Sequence, residues 1–146
     1  MKFKNKIYLD YDDILSMCKN LEHDVQKHKP ALIVGITRGG LLPALHLSHH
    51  LDRPMKTLLW QTREDDRQEY DKDLQEFIDS GRHVVFVDDI NDTGRTFGEI
   101  SKAYHCERPN VLFASLIGKV ETSYPNAVSA LTISDKRWII FPWEKD

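Results

Sequence analysis

Residues 84–96 read VVFVDDINDTGRT, and this stretch limits what the chain can fold into more than any other. Val84, Val85, Phe86 and Val87 are apolar and mostly β-branched or aromatic. An unbroken run of this kind suits a central parallel strand covered on both faces. Asp88 and Asp89 follow at its carboxyl end, the edge where open α/β sheets bind ligands. Asp92, Thr93, Gly94, Arg95 and Thr96 then form a small polar turn. A helical pattern follows over 97–104, with Phe97, Ile100 and Tyr104 on one face. Backbone N–H groups at such a helix start, with the Thr93 and Thr96 hydroxyls, can cradle a phosphate. Paired carboxylates accept hydrogen bonds from vicinal hydroxyls or hold a hard cation. Acids for hydroxyls beside amides for a phosphate describe a pocket for ribose 5-phosphate. Either half alone is better read as an acidic turn that merely caps the next helix; both halves in register after an apolar strand reverse that preference.

The rest of the chain alternates strands and helices. Ile14, Cys18, Leu21 and Val25 recur at helical spacing within 10–28, with Asp10 or Asp12 as the cap and Pro30 beyond the end. Residues 31–36 (ALIVGI) have the length of a core strand. Thr37, Arg38, Gly39 and Gly40 make a sharp loop, and 41–51 reads as a helix that tolerates Pro43 in its first turn. Strands are predicted at 55–60, 110–117 and 127–133, and an irregular aromatic end at 135–146. The alternation predicts an α/β fold, a central mostly parallel sheet flanked by helices. At 146 residues, one domain over 1–146 is expected. Residues 61–82 are densely charged and read as too polar for core, with a weak helix near 74–78. They suit either a solvated face or a flexible lid, since a lid must be weakly packed.

Net charge is −3, so no global attraction to nucleic acid or to an anionic membrane is expected, and any anion site must be local. No apolar run is long enough to span a bilayer, and the polar start carries no secretory leader pattern. A cytoplasmic location is the expectation. Cys18 and Cys106 lack metal-ligand spacing and read as buried thiols. His46 and His50 lie one turn apart on the second helix, with His49 beside them. No acid or cysteine completes a metal set there, so an exposed histidine face beside a leucine stripe is expected.

Residues 84–96 resemble the phosphoribosyl pyrophosphate (PRPP) signature of the type I phosphoribosyltransferases: apolar strand, two acids, two residues, then Asp-Thr-Gly-x-Thr. The resemblance implies that fold, closed by a small C-terminal hood over 135–146. It gives Thr37, Arg38, Gly39 and Gly40 the pyrophosphate-gripping role, through a loop that often carries a cis peptide just before the arginine. It assigns Asp88, Asp89, Asp92, Thr93, Gly94, Arg95 and Thr96 to PRPP. Asp89 becomes the metal contact for Mg²⁺, and Asp92 the group that takes the purine N7 proton.

The sequence TRGGLL over 37–42, Lys119, the pair Trp138-Ile139 and the run Pro142-Trp143-Glu144 extend the resemblance to the bacterial xanthine–guanine, or 6-oxopurine, branch. Lys119, Trp138 and Ile139 are thereby implied to bind the base. An ammonium suits a 6-oxo group and not a 6-amino group, and a Trp ring can stack on a flat base. Trp143 reads equally as a hydrophobic flap over the core. Ile140 stands where that branch carries an acid. The implied activity is purine salvage from PRPP and a purine base, by a homodimer or homotetramer. The alternatives are a PRPP- or nucleotide-sensing regulator of the same fold, and a phosphoribosyltransferase for another base.

Overall fold

A computed structural model describes residues 5–62 and 67–145. The elements run β1 (Lys6–Tyr8), α1 (Tyr11–Lys27), β2 (Leu32–Thr37), α2 (Leu41–Leu51), β3 (Met55–Leu59), α3 (Lys72–Asp79), β4 (Val84–Asn91), α4 (Arg95–Tyr104), β5 (Val111–Lys119), β6 (Val128–Ile133) and β7 (Trp138–Ile140). The main sheet has the order β3-β2-β4-β5-β6, and every neighbouring pair is parallel. The order reverses between β2 and β4, so connections leave these two strands in opposite directions and a crevice opens at their carboxyl ends.

Alternation along the central strands divides the core into two layers. Ile33, Val85, Val87, Ala114 and Leu116 face α1 and α2. Val34, Ile36, Val84, Phe86 and Phe113 face the side carrying α3 and α4. Phe113 stacks on Phe86 at 5.0 Å and meets Phe97 of α4 at 4.9 Å. Such ring pairs contribute about 0.5–1.5 kcal/mol each beyond their buried area. They pin the first turns of α4, which follow the phosphate turn, onto β4 and β5.

Residues 72–79, expected to be too polar for core, form a docked helix. Leu74 and Ile78, four residues apart, are fully buried while the charged residues face out. Asp71 caps the helix by accepting from Leu74 N at 3.0 Å and pairs with Lys56 at 2.5 Å. Gln75 donates to Asp79 Oδ1 and to the Tyr104 carbonyl. Residues 63–66 of the expected lid lie outside the described residues.

The chain's first strand has no counterpart in the sequence reading. β1 pairs in parallel with β7, matching Lys6 with Trp138, Ile7 with Ile139 and Tyr8 with Ile140. The hood is thus built from both ends of the chain. Cys18 and Cys106 are buried and free, and burial pushes their thiols up to about 11 and about 12. Among the described residues, no helix is long and apolar enough to cross a membrane.

One expectation is corrected at α1 and α2. His46 is not on an open face: its side chain is 8 % exposed and its Nε2 bonds Glu22 of α1. The acid comes from a different helix, 24 residues earlier, so helical spacing along 41–51 does not reveal it.

Candidate active site at the switch point of the sheet

The loop after β2, residues 38–40, meets the carboxyl half of the neighbouring strand β4, which runs on through Asp88 and Asp89 to Asn91 before the turn at 92–94. A Cβ built on Gly39 would stand 2.1 Å from Asp89 Oδ2. Only a glycine lets this backbone lie against the carboxylate. The Thr37–Arg38 peptide is cis, as the resemblance implies for this loop. Gly40 N donates to the Ile36 carbonyl at 2.8 Å and Leu41 N to the Arg38 carbonyl at 3.0 Å, which closes the loop. Arg38 stands exposed at its rim.

The helix starts differ in a way that points to anions. Asp10 and Asp71 cap α1 and α3 through their side chains, and both helices carry acids in the first turn. α2 and α4 begin at Gly40 and Gly94, with no side-chain cap and no acid in the first turn. Uncapped N–H groups and the positive end of the helix dipole favour a bound anion. Both uncapped starts lie at the switch point, where the two phosphate-bearing ends of PRPP are expected.

Gly94 adopts a left-handed conformation with φ +91°. A Cβ there would meet Thr122, Ser123 and Tyr124 at 2.6–2.7 Å. Ser123 donates to the Thr93 carbonyl through both its N–H and its hydroxyl. Asn91 donates to the Tyr124 carbonyl and accepts from the Thr122 hydroxyl. Residues 122–124 therefore buttress the phosphate turn. The sequence reading missed them, because a hydroxyl-rich turn says nothing of its partner 30 residues away. Thr96 shares a hydrogen bond with Thr62 at 3.0 Å. The Arg95 guanidinium turns along the helix to Glu99 and to the Thr62 carbonyl. Its side chain thus ties Thr62 to the start of α4.

Asp88 and Asp89 are half-buried at the end of β4, and Asp89 N donates to Asp88 Oδ1 at 2.8 Å. Their carboxylate oxygens, set against a loop with no side chain at residue 39, suit an oxygen-loving cation. The donor set fits Mg²⁺.

The base-binding candidates converge on the same edge. Register pairs Asn91 with Gly118, so Asp92, the first residue of the turn after β4, follows beside Lys119, the last residue of β5. Lys119 Nζ donates to the Asp135 carbonyl and lies 3.4 Å from the Arg137 carbonyl, one residue before Trp138. Arg137 holds Asp135 in turn, bonding both its carboxylate oxygens. Trp138 is 48 % exposed, whereas the Ile139 side chain is buried in the layer beneath α1. Ile139 can therefore meet a base only through its main chain. Trp143 stacks on Phe141 at 5.1 Å and packs on the core, which supports the flap reading for this ring.

Residues 5–145 match the family described as phosphoribosyl transferase domain. A xanthine-guanine phosphoribosyltransferase of Cereibacter sphaeroides is 31% identical over 118 residues, covering 77% of this chain and 68% of that protein. An orotate phosphoribosyltransferase of Bartonella bacilliformis is 29% identical over 131 residues, covering 84% and 65%. The crystal structure of a purine phosphoribosyltransferase from Pyrococcus horikoshii superposes with a TM-score of 0.79 at 30% identity, covering 97% of this chain and 96% of that one. With the switch-point site and the parallel sheet, these matches establish that the chain belongs to the phosphoribosyltransferase family of enzymes and has its type I fold.

Proposed function

We propose that the protein transfers ribose 5-phosphate from PRPP to a 6-oxopurine, namely guanine, xanthine or hypoxanthine, and releases pyrophosphate. One observation carries the choice of acceptor. Asp92 follows β4 beside Lys119 at the end of β5, and Lys119 Nζ reaches the Arg137 carbonyl, one residue before Trp138, which supports a common base site for residues far apart in sequence. The names of the Cereibacter and Pyrococcus relatives point the same way.

In this reading the amides and hydroxyls of 92–96 hold the 5-phosphate. Arg38, Thr37 and the amides of the glycine loop hold pyrophosphate. As the bond to the anomeric carbon lengthens, the ribose gains oxocarbenium character and pyrophosphate gains charge. Asp88 and Asp89 face the positive sugar, and Arg38 with the α2 start faces the leaving group. Mg²⁺, when bound through Asp89 and Asp88, supplies further charge neutralisation at the pyrophosphate. Asp92 takes the proton from N7 as N9 bonds to the sugar. Trp138 stacks on the base, Lys119 donates to its 6-oxygen, and Ile139 offers main-chain contacts. The segment after Thr62 has the role of excluding water, which would hydrolyse the activated ribose.

The test is pyrophosphate release from PRPP with Mg²⁺ and a panel of bases. Release with 6-oxopurines, and little with adenine or orotate, is expected. Release with orotate alone would move the protein to the activity named for its Bartonella relative. Tight PRPP binding without release for any base would make it a regulator.

A further inference from the structure

We propose a second site, separate from the transfer site: a transition-metal site formed by Glu22, His46 and His50 that clips α1 to α2. His46 and His50 are one turn apart, so their rings share a face of α2, stacked at 3.9 Å with 16° between planes. Glu22 of α1 stands opposite. His50 Nδ1 lies 3.1 Å from Glu22 Oε1, and His46 Nε2 bonds the same oxygen. Among the described residues, this is the one group of three such side chains whose ligand atoms all lie within 4.8 Å of one another.

The spacing fits a small tetrahedral ion. Ligands about 2.0–2.2 Å from Zn²⁺ stand roughly 3.3 Å apart, close to the His50–Glu22 separation. The tighter His46–Glu22 contact opens to admit the ion, with the imidazole tautomers that turn their lone pairs inward. Two imidazoles and one carboxylate select Zn²⁺, Co²⁺ or Ni²⁺ over Mg²⁺, which keeps to oxygen. Exposure grades across the set, from 8 % at the His46 side chain through 26 % at Glu22 to 48 % at His50. The inner ligand is held by packing, and the outer side admits the ion and a water as fourth ligand. Since α2 starts at the pyrophosphate loop, the clip would tie that helix to α1 at its other end.

The experiment is a Co²⁺ titration read by visible d–d absorption, with Zn²⁺-dependent melting in parallel. The wild-type chain should develop tetrahedral bands that saturate at one equivalent, and its Tm should rise with Zn²⁺. The variant Asp88→Asn/Asp89→Asn should keep the bands, which separates this site from the acid pair. His46→Ala/His50→Ala should lose them together with the Tm shift. Should that variant fail to fold, His50→Gln changes only the most exposed ligand and should weaken Co²⁺ binding roughly tenfold or more. Unchanged uptake in the histidine variants, or no saturable uptake by wild type, would overturn the proposal.

Discussion

A methyl group added at Gly39 meets the carboxylate of Asp89, the tip of a side chain, whereas one added at Gly40 meets backbone, the Val87 carbonyl at 2.1 Å and Ile36 at 2.7–2.8 Å. The first clash is relieved by turning the acid away; the second requires strands to move. Gly39→Ala should therefore fold normally and lose PRPP and Mg²⁺ affinity. Gly40→Ala should cost about 1–3 kcal/mol of stability as well. Urea denaturation beside PRPP calorimetry separates the two. Asp92→Asn keeps shape and hydrogen-bonding capacity but removes the base. Turnover should fall by roughly 10²–10⁴ with PRPP affinity nearly unchanged, and rapid-quench kinetics with equilibrium binding would check it. Wild-type turnover in this variant would remove Asp92 from the proton-transfer role. Much at this scale is legible in the sequence. The acids and glycines of the two loops, read together, point to one pocket, and their chemistry is local. The buttress from Ser123 to Thr93 is not, because it joins residues that only the β4–β5 pairing brings together.

At the scale of elements, the sequence is a good guide wherever the apolar pattern is dense. The bounds of α2 agree with the expected 41–51, and those of α1 lie within 10–28. α3 is where the pattern misleads. Its two buried apolar residues, Leu74 and Ile78, sit on a narrow stripe beside the buried Gln75, and the charged residues around them make the segment read as a weak helix too polar for core. Yet the stripe is fully buried, so Leu74→Ala should destabilise the protein by about 2–5 kcal/mol, measured by chemical denaturation. A true surface excursion would show almost no change.

The turn at 135–137 allows a prediction in pH. The Arg137 guanidinium beside Asp135 holds its carboxyl down from 3.8 to about 2. A lowered carboxylate pKa stabilises the folded state above the ordinary value, and that contribution is lost as pH falls through about 2. The turn that receives Lys119 should thus keep its charge pair throughout the neutral range. An NMR titration should place the Asp135 midpoint near 2, and Arg137→Ala should return it toward 3.8. The same variant should raise the KM for the purine more than that for PRPP, because it loosens the carbonyls that hold Lys119.

Over the whole molecule, the two halves of the proposed reaction rest on different parts of the architecture. The PRPP half lies on β2 and β4, the innermost strands flanking the reversal of order, and both are buried on two faces. The base half lies on the end of β5 and on a two-stranded hood whose strands come from residues 6–8 and 138–140. This pairing was invisible in the sequence: Lys6, Ile7 and Tyr8 are too few to show a period, and their partner is at the far end of the chain. Ile7 lies opposite Ile139, the residue after Trp138, and packs on the layer beneath α1. Ile7→Ala should loosen the hood and leave the central sheet intact. If that costs base binding about 1.4 kcal/mol, the KM for the 6-oxopurine rises roughly tenfold. The KM for PRPP should stay within a factor of about two, because nothing in β2, β4 or their loops has moved. Steady-state kinetics with each substrate varied in turn would read the split. Equal losses for both substrates would mean that the hood and the central sheet act as a single rigid unit rather than as separable halves.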